Sequence, residues 1–239
     1  MKAVVLAGGE GTRLAPYTKI LPKPLMPIGD MPILEILMRQ MKRSGINEVI
    51  LTVGYLAEYL RLFFQDGEGL GLKISYSYED EPLGTAGPLT LVENLKDTFL
   101  VTNGDILTTL PLDKLMAFHH QQQAAATIAM HSRHIKVDLG VIELDGGSRV
   151  QGYIEKPTYD FMVSMGIYVF EPRVLSYIPQ AQHYDFPDLV KTLIAANEKV
   201  VGYPFAGYWQ DLGRKDDYEQ AVQDFTSMRD QFLPEEAPQ

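Results

Sequence analysis

Gly8, Gly9 and Gly11 follow directly on the apolar run Val4 to Leu6, and Arg13, Lys19 and Lys23 come just behind them. Glycine lets a backbone approach a ligand closely and turn its N–H groups toward an anion. A loop of this kind at the carboxyl end of a buried strand, supplied with its own cations, is suited to phosphate. It is neither of the two commonest phosphate loops. Starting from Gly8, the sixth residue is Arg13 where G-x-x-x-x-G-K-[ST] needs glycine, and Gly9-Glu-Gly11 continues as Thr-Arg-Leu14 where G-x-G-x-x-G needs glycine. The plain alternative is an ordinary glycine-rich turn between strand and helix. A second residue with chemical potential is Asp105, which follows an apolar stretch at Asn103-Gly104. A carboxylate there suits Mg²⁺, which takes one or two carboxylates together with phosphate oxygens and water.

The elements that must position these groups alternate along the first half. Ile33, Leu34, Ile36, Leu37, Met38 and Met41 recur at helical spacing and end near Ser44-Gly45. Val49 to Val53 reads as a buried strand, Tyr55 to Phe64 as a helix, Gly67 to Gly71 as a loop and Lys73 to Tyr78 as a strand. Leu83-Gly-Thr-Ala-Gly87 is expected to open a further helix before the strand Phe99 to Thr102. This rhythm predicts parallel βαβ units, whose ligands sit at the carboxyl ends of the strands. The Gly8 loop, Glu79 and Asp105 all fall at or just beyond such ends. From residue 124 the spacing shortens. Ala124–Met130, Gly140–Leu144, Val150–Ile154 and Met165–Phe170 read as strands, with Asp145-Gly146-Gly147 as a hairpin turn. Phe186 to Ala196 then reads as a helix, Val200 to Tyr203 as a strand and Lys215 to Met228 as a closing helix.

Composition narrows the classes. The chain has 239 residues, no cysteine and a formal net charge of −10. One α/β domain of this length buries enough surface to need no staples. Disulfides and cysteine-ligated zinc are excluded, and the acidity argues against nucleic-acid and anionic-membrane partners. The expectation is a soluble, cytoplasmic protein. His119-His120 and His131…His134 lack zinc-like spacing.

The full string Leu6-Ala-Gly-Gly-Glu-Gly-Thr-Arg-Leu14…Pro22-Lys23-Pro24-Leu25-Met-Pro27 resembles the signature of the sugar-phosphate nucleotidyltransferases, and most closely their mannose-1-phosphate guanylyltransferases. Leu83–Gly87, Asn103-Gly-Asp105, Glu155-Lys-Pro157, Gly166–Phe170 and Trp209-Gln-Asp-Leu-Gly213 continue the resemblance in family order. It implies an α/β fold: a mostly parallel, Rossmann-like nucleotidyltransferase sheet with helices on both faces, and a smaller antiparallel sugar-binding part in the second half. Residues 1–228 would form a single catalytic domain and 229–239 a flexible C-terminal tail. The implied partners are a nucleoside triphosphate and a sugar 1-phosphate, whose phosphate oxygen attacks the α-phosphorus to give an NDP-sugar and pyrophosphate. A homo-oligomer is left open.

By the same resemblance, Leu6, Ala7, Gly8, Gly9, Gly11, Thr12, Gly84 and Thr85 bind the nucleotide. Arg13 and Lys23 act on the phosphates at the reaction centre, and Asp211 joins Asp105 on Mg²⁺. Asn103, Gly140, Glu155, Lys156 and Ser164 serve the sugar phosphate, with the Gly140 backbone lining the same pocket. Many relatives carry Asn or Thr where this chain has Ser164, so the sugar stays open. Glu79 bears on the base. An ionised carboxylate only accepts hydrogen bonds, which suits the two adjacent donors of guanine and not the N–H between carbonyls of thymine or uracil. GTP is therefore expected, with a glucose-1-phosphate thymidylyl- or uridylyltransferase as the alternative. A non-catalytic nucleotide-sugar-binding regulator is the rival of another class; the presence of Arg13, Lys23, Asp105 and Asp211 counts against it.

Overall fold

A computed structural model describes residues 1–234 of the chain. Its strands are β1 (Lys2–Leu6), β2 (Pro27–Ile28), β3 (Met31–Pro32), β4 (Glu48–Val53), β5 (Lys73–Tyr78), β6 (Phe99–Asn103), β7 (Ile106–Thr108), β8 (Ala126–Lys136), β9 (Val141–Leu144), β10 (Val150–Ile154), β11 (Thr158–Phe170), β12 (Val200–Phe205) and β13 (Trp209–Asp211). Its α-helices are α1 (Ile33–Arg43), α2 (Ala57–Phe64), α3 (Leu112–Gln122), α4 (Phe186–Ala195), α5 (Lys215–Ser227) and α6 (Arg229–Phe232). Seven strands form the central sheet in the order β12-β8-β11-β6-β1-β4-β5. β5, β4, β1, β6, β8 and β12 run one way and β11 alone opposes them.

The continuous apolar runs become central strands because both faces of the sheet are covered. Side chains alternate across a strand, so neighbours in β1 serve opposite cores. Ala3 and Val5 pack with Leu34, Leu37 and Met41 of α1, Leu60 and Phe64 of α2, and Leu115 and Met116 of α3. Val4 faces the other side, with Leu89, Phe170 and the α4 residues Phe186, Leu189 and Leu193. A third cluster joins Ile33 and Ile36 of α1 to Leu107 of β7, Ala221 and Phe225 of α5, and Phe232. Among the described residues no helix is long and apolar enough to cross a membrane.

Several elements differ from the sequence expectation. Leu83–Gly87 does not open an α-helix: a turn leads into the 3₁₀ helix Gly87–Leu91. Ala86 and Gly87 give their N–H groups to Tyr184 O, at 2.8 and 2.9 Å, instead of to a helical ladder. Helix α3 is unannounced by the motifs, although Leu112, Leu115, Met116 and His119 keep helical spacing and are all buried. β8 and β11 run well beyond the apolar stretches that mark them. Residues 131–136 pair with 158–163 as a two-stranded ribbon, projecting roughly 20 Å at about 3.3 Å per residue. The tail expected from residue 229 begins instead with α6, whose Phe232 is 1 % exposed against Tyr208 and Phe225. An aromatic with a core pocket within reach does not fray. Residues 235–239 of the expected tail lie outside the described residues.

Candidate active site

The carboxyl ends of β1, β4 and β6 open into one cavity of about 670 Å³, within the usual range for a small-molecule site. Backbone bonds tie its rims together. Ala7 N–H donates to Thr52 O, Tyr55 N–H to Gly8 O and Gly104 N–H to Leu6 O, at 2.9, 3.3 and 2.9 Å. Leu6, Ala7, Gly8, Gly9, Glu10, Gly11 and Arg13 line the cavity along the loop after β1. The N–H groups of Gly8, Gly9, Glu10 and Gly11 have no backbone acceptor among the described residues, so they are available to an anion. The backbone calls for glycine at position 11, and the end of the Glu79 side chain crowds Gly8. A Cβ on Gly8 would lie 2.7 Å from Glu79 Oε1, and Gly11 has φ +61° with Thr18 Cγ2 3.0 Å from where its Cβ would be. Thr18 fixes the turn by donating to Gly11 O at 2.8 Å. Thr12 begins a short 3₁₀ helix and is not among the cavity-lining residues.

Lys23 sits between Pro22 and Pro24 in another 3₁₀ turn and is nearly buried. Proline on both sides restricts the backbone and so fixes where the stem starts. Its ammonium donates to Asp105 Oδ2 and lies 3.8 Å from Asp211 Oδ1. The two aspartates are brought together by a small antiparallel ladder between β7 and β13, in which Asp211 faces Ile106. Leu212 N–H also donates to Asp105 O at 3.2 Å. Arg13 reaches the same place from the glycine loop: a Cβ on Gly213 would be 3.2 Å from both Arg13 Nη1 and Asp211 Oδ1.

Burial, and then the neighbouring Asp105 charge, push the Asp211 carboxyl above the usual carboxylate range, while Lys23 and Arg13 oppose this. Asp211 Oδ1 is a buried oxygen with no hydrogen-bond partner among the described residues. An orphaned carboxylate oxygen beside a second carboxylate is a donor set that fits a hard divalent cation. Among the described residues no group of three or more His, Cys, Asp or Glu is arranged around a common point, so any remaining ligands would have to be substrate oxygens and water.

At the far end of the cavity stand Glu79, Asp80, Pro82, Gly84, Thr85 and His183. Glu79 is half-buried, and that burial raises its pKa against the lowering effect of a hydrogen bond from Leu83 N–H to Oε2 at 3.1 Å. Gly84 has φ +78° and is pressed against Tyr184 O and Asp185 Oδ1, each 2.8 Å from where its Cβ would be. Thr85 donates both its N–H and its hydroxyl to Asp185 Oδ1, at 2.8 and 2.9 Å, and its Oγ1 accepts from Phe186 N–H. The loop before α4 thus holds this end in place. Neither His183 nor Asp185 carries a motif in the sequence; only the fold brings them to Gly84 and Thr85.

The residues expected to bind the sugar divide. Asn103 lines the cavity, under Gly166. Ser164 is engaged within the protein: it donates to Tyr168 Oη at 2.9 Å and accepts from Gly166 N–H at 3.3 Å, at the register shift of β11. Gly140, Glu155 and Lys156 do not line the cavity, contrary to the expectation of a shared pocket. They cluster around Tyr153 on the projecting arm, where Tyr153 Oη donates to Glu155 Oε2 at 3.1 Å and Lys156 lies 3.8 Å from Glu155. The extra length of β8 and β11 carries them away from the sheet, and both charged side chains are more than half exposed.

The family model described as nucleotidyl transferase matches residues 2–228. The chain is 34 % identical over 251 residues to a UTP–glucose-1-phosphate uridylyltransferase from Synechocystis sp., covering 93 % of this chain and 62 % of that one. It is 36 % identical over 223 residues to a mannose-1-phosphate guanylyltransferase from Mycobacterium tuberculosis, covering 90 % and 62 %. The chain therefore spans less than two thirds of the length of these curated relatives. Among solved structures, a Bacillus anthracis protein described as a glucose-1-phosphate thymidylyltransferase aligns with a TM-score of 0.78 at 24 % identity, over 97 % of this chain and 98 % of that one. HddC from Yersinia pseudotuberculosis, complexed with GMP-PN, aligns with a TM-score of 0.71 at 24 % identity, over 94 % and 99 %. At that identity the structural likeness concerns the fold.

Proposed function

Because the chain belongs to the nucleotidyl transferase family, we propose that it transfers GMP from GTP to a sugar 1-phosphate, releasing pyrophosphate and an NDP-sugar. Mannose 1-phosphate or a related hexose or heptose 1-phosphate is the acceptor of this reading, and residues 1–228 form its catalytic unit. The observation that carries it is a convergence. One cavity is lined by a row of unpaired backbone N–H groups, two cations on the loop after β1 and Asp105, and Asp211 lies 3.8 Å from the ammonium of one of those cations, Lys23.

Transfer of a phosphoryl-type group asks the protein for positioning and charge neutralisation rather than covalent chemistry. The N–H groups of Gly8 to Gly11 would hold the triphosphate at the end of β1. Arg13 would stabilise charge developing on the phosphate oxygens, and Lys23 would fix the oxygens nearest the α-phosphorus. Asp105 and Asp211 would hold Mg²⁺, which when bound neutralises phosphate charge and orients the reacting oxygens. Glu79 would accept from the two adjacent donors of guanine, its free lone pairs supplementing the one engaged by Leu83 N–H. Asn103 would meet the sugar phosphate from within the cavity and Lys156 from the arm.

A second reading rests on Glu79 too. Its raised pKa means that a protonated Glu79 would donate as well as accept, as an amide does, and would admit uracil or thymine. Pyrophosphate release across four nucleoside triphosphates and several sugar 1-phosphates separates these readings. The highest kcat/KM is expected with GTP and mannose 1-phosphate. A preference for UTP or dTTP with glucose 1-phosphate would overturn the base assignment. Release with no pair, alongside tight nucleotide-sugar binding, would favour a regulator. A chain without cysteine that uses such substrates fits a cytoplasmic location.

A further inference from the structure

We propose that Lys23 guards the carboxylate pair against bare cations, so that the divalent metal enters only together with the triphosphate. This rests on the reading of Asp105 and Asp211 as metal ligands, and it concerns how the chain controls them. The Lys23 ammonium is in contact with Asp105 and within ion-pair range of Asp211, so it lies on the pair that a metal would have to bridge. It cannot drift far at its base. Pro22 and Pro24 flank it, and its Cβ packs 3.2 Å from where a Cβ of Gly11 would be. Only the end of the side chain is free to move, and an anion held by the glycine loop would offer it a partner away from the two carboxylates.

The two carboxylates share the one ammonium in contact with Asp105, and Asp211 Oδ1 keeps no hydrogen-bond partner among the described residues although Arg13 also stands near it. A metal ion arriving alone would have to displace a buried, hydrogen-bonded ammonium and leave it without an anion, which is unfavourable. A metal arriving with a triphosphate brings that anion: Lys23 transfers to a phosphate oxygen and frees Asp105. The two ligands are then coupled through one side chain, and coupling between sites of this kind is typically 5- to 150-fold in affinity.

Mn²⁺ is a suitable probe, with free ion counted by electron paramagnetic resonance. Trp209, the only tryptophan in the chain, stands on β13 two residues before Asp211 and reports local binding by quenching. Without nucleotide, Lys23→Met and Lys23→Gln should each bind Mn²⁺ at least about tenfold more tightly than the unsubstituted chain. Adding Asp105→Asn should abolish the gain. Arg13→Met removes the same charge near Asp211 without touching the contact with Asp105, and should change Mn²⁺ affinity by less than about threefold. Equal affinity in the unsubstituted chain and the Lys23 variants would overturn the proposal, and so would a gain in Arg13→Met as large as theirs. Mn²⁺ binding in the presence of GTP is measured in parallel. If it occurs with GTP while the Lys23 variants show no gain without it, the metal assignment stands and the guarding role fails. If Mn²⁺ does not bind even with GTP, the metal assignment itself falls.

Discussion

The cleft at the end of β1 and the arm built from β8, β9, β10 and β11 hold the two halves of the proposed site under opposite conditions. In the cleft, functional groups are fixed by elements distant in sequence: Asp105 by the β7–β13 ladder, Thr85 by the loop before α4, Gly8 by the turn after β4. On the arm, Glu155 and Lys156 stand on two-stranded ribbons whose apolar residues Ile142, Leu144, Tyr153 and Phe161 remain about half exposed. A two-stranded ribbon without a covering layer is marginally stable, and local opening there is correspondingly easy. On the proposed assignment, the fold would pre-organise the triphosphate and leave part of sugar recognition to a more yielding segment. Phosphate chemistry needs fixed charge. Sugar recognition tolerates adjustment.

The hardest test of that contrast is in the cleft. Arg13→Ala should cut kcat by about 100- to 1000-fold, the usual cost of removing one preorganised charge-stabilising group, with an unchanged circular dichroism spectrum. A loss below about fivefold would show that charge stabilisation does not reside in this loop. Next comes the base end. Glu79→Gln should lower the GTP-to-dTTP ratio of kcat/KM by about tenfold, corresponding to one charge-assisted hydrogen bond. A pH series sharpens this. Burial raises the Glu79 pKa, so on acidification it takes up its proton before an ordinary carboxylate does. The GTP preference should therefore decline first as pH falls, and the Glu79→Gln ratio should stay level through the same range. The smallest effect belongs to the arm. Lys156→Ala should raise the KM for the sugar 1-phosphate by about fivefold, as expected of an exposed charge, and leave the KM for GTP unchanged. A matching rise for GTP would mean that the two regions are not separate in function.

What the sequence announces here is what is local. Val4–Leu6, Gly8, Gly9 and Gly11 are contiguous, and the run Val49–Val53 marks its strand without help, so the cleft's floor is readable. Helix α3 is harder because His119 fills an apolar position. It is buried, with Nδ1 2.7 Å from Thr127 Oγ1 and Nε2 3.2 Å from Glu171, and those partners lie on other elements. β7 and β13 are three residues each and are strands only through one another. His183 reaches the cavity, and Asp185 its rim residue Thr85, because Thr85, Ala86 and Gly87 bond to the loop that carries them. The arm's reach is hidden for a different reason. Residues 131–136 and 158–163 are exposed over most of their length, so neither shows the alternation that a half-buried strand imposes.

The β7–β13 ladder also sets an order of events during synthesis. The glycine loop and Asp105 both precede β7, so a chain elongated only through β7 holds one carboxylate of the proposed pair. The second carboxylate arrives with Trp209–Asp211, and α5 and α6 then seal the cluster of Leu107, Phe225 and Phe232 behind it. The proposed metal pair is thus completed only by β13, the last of the described strands to be made.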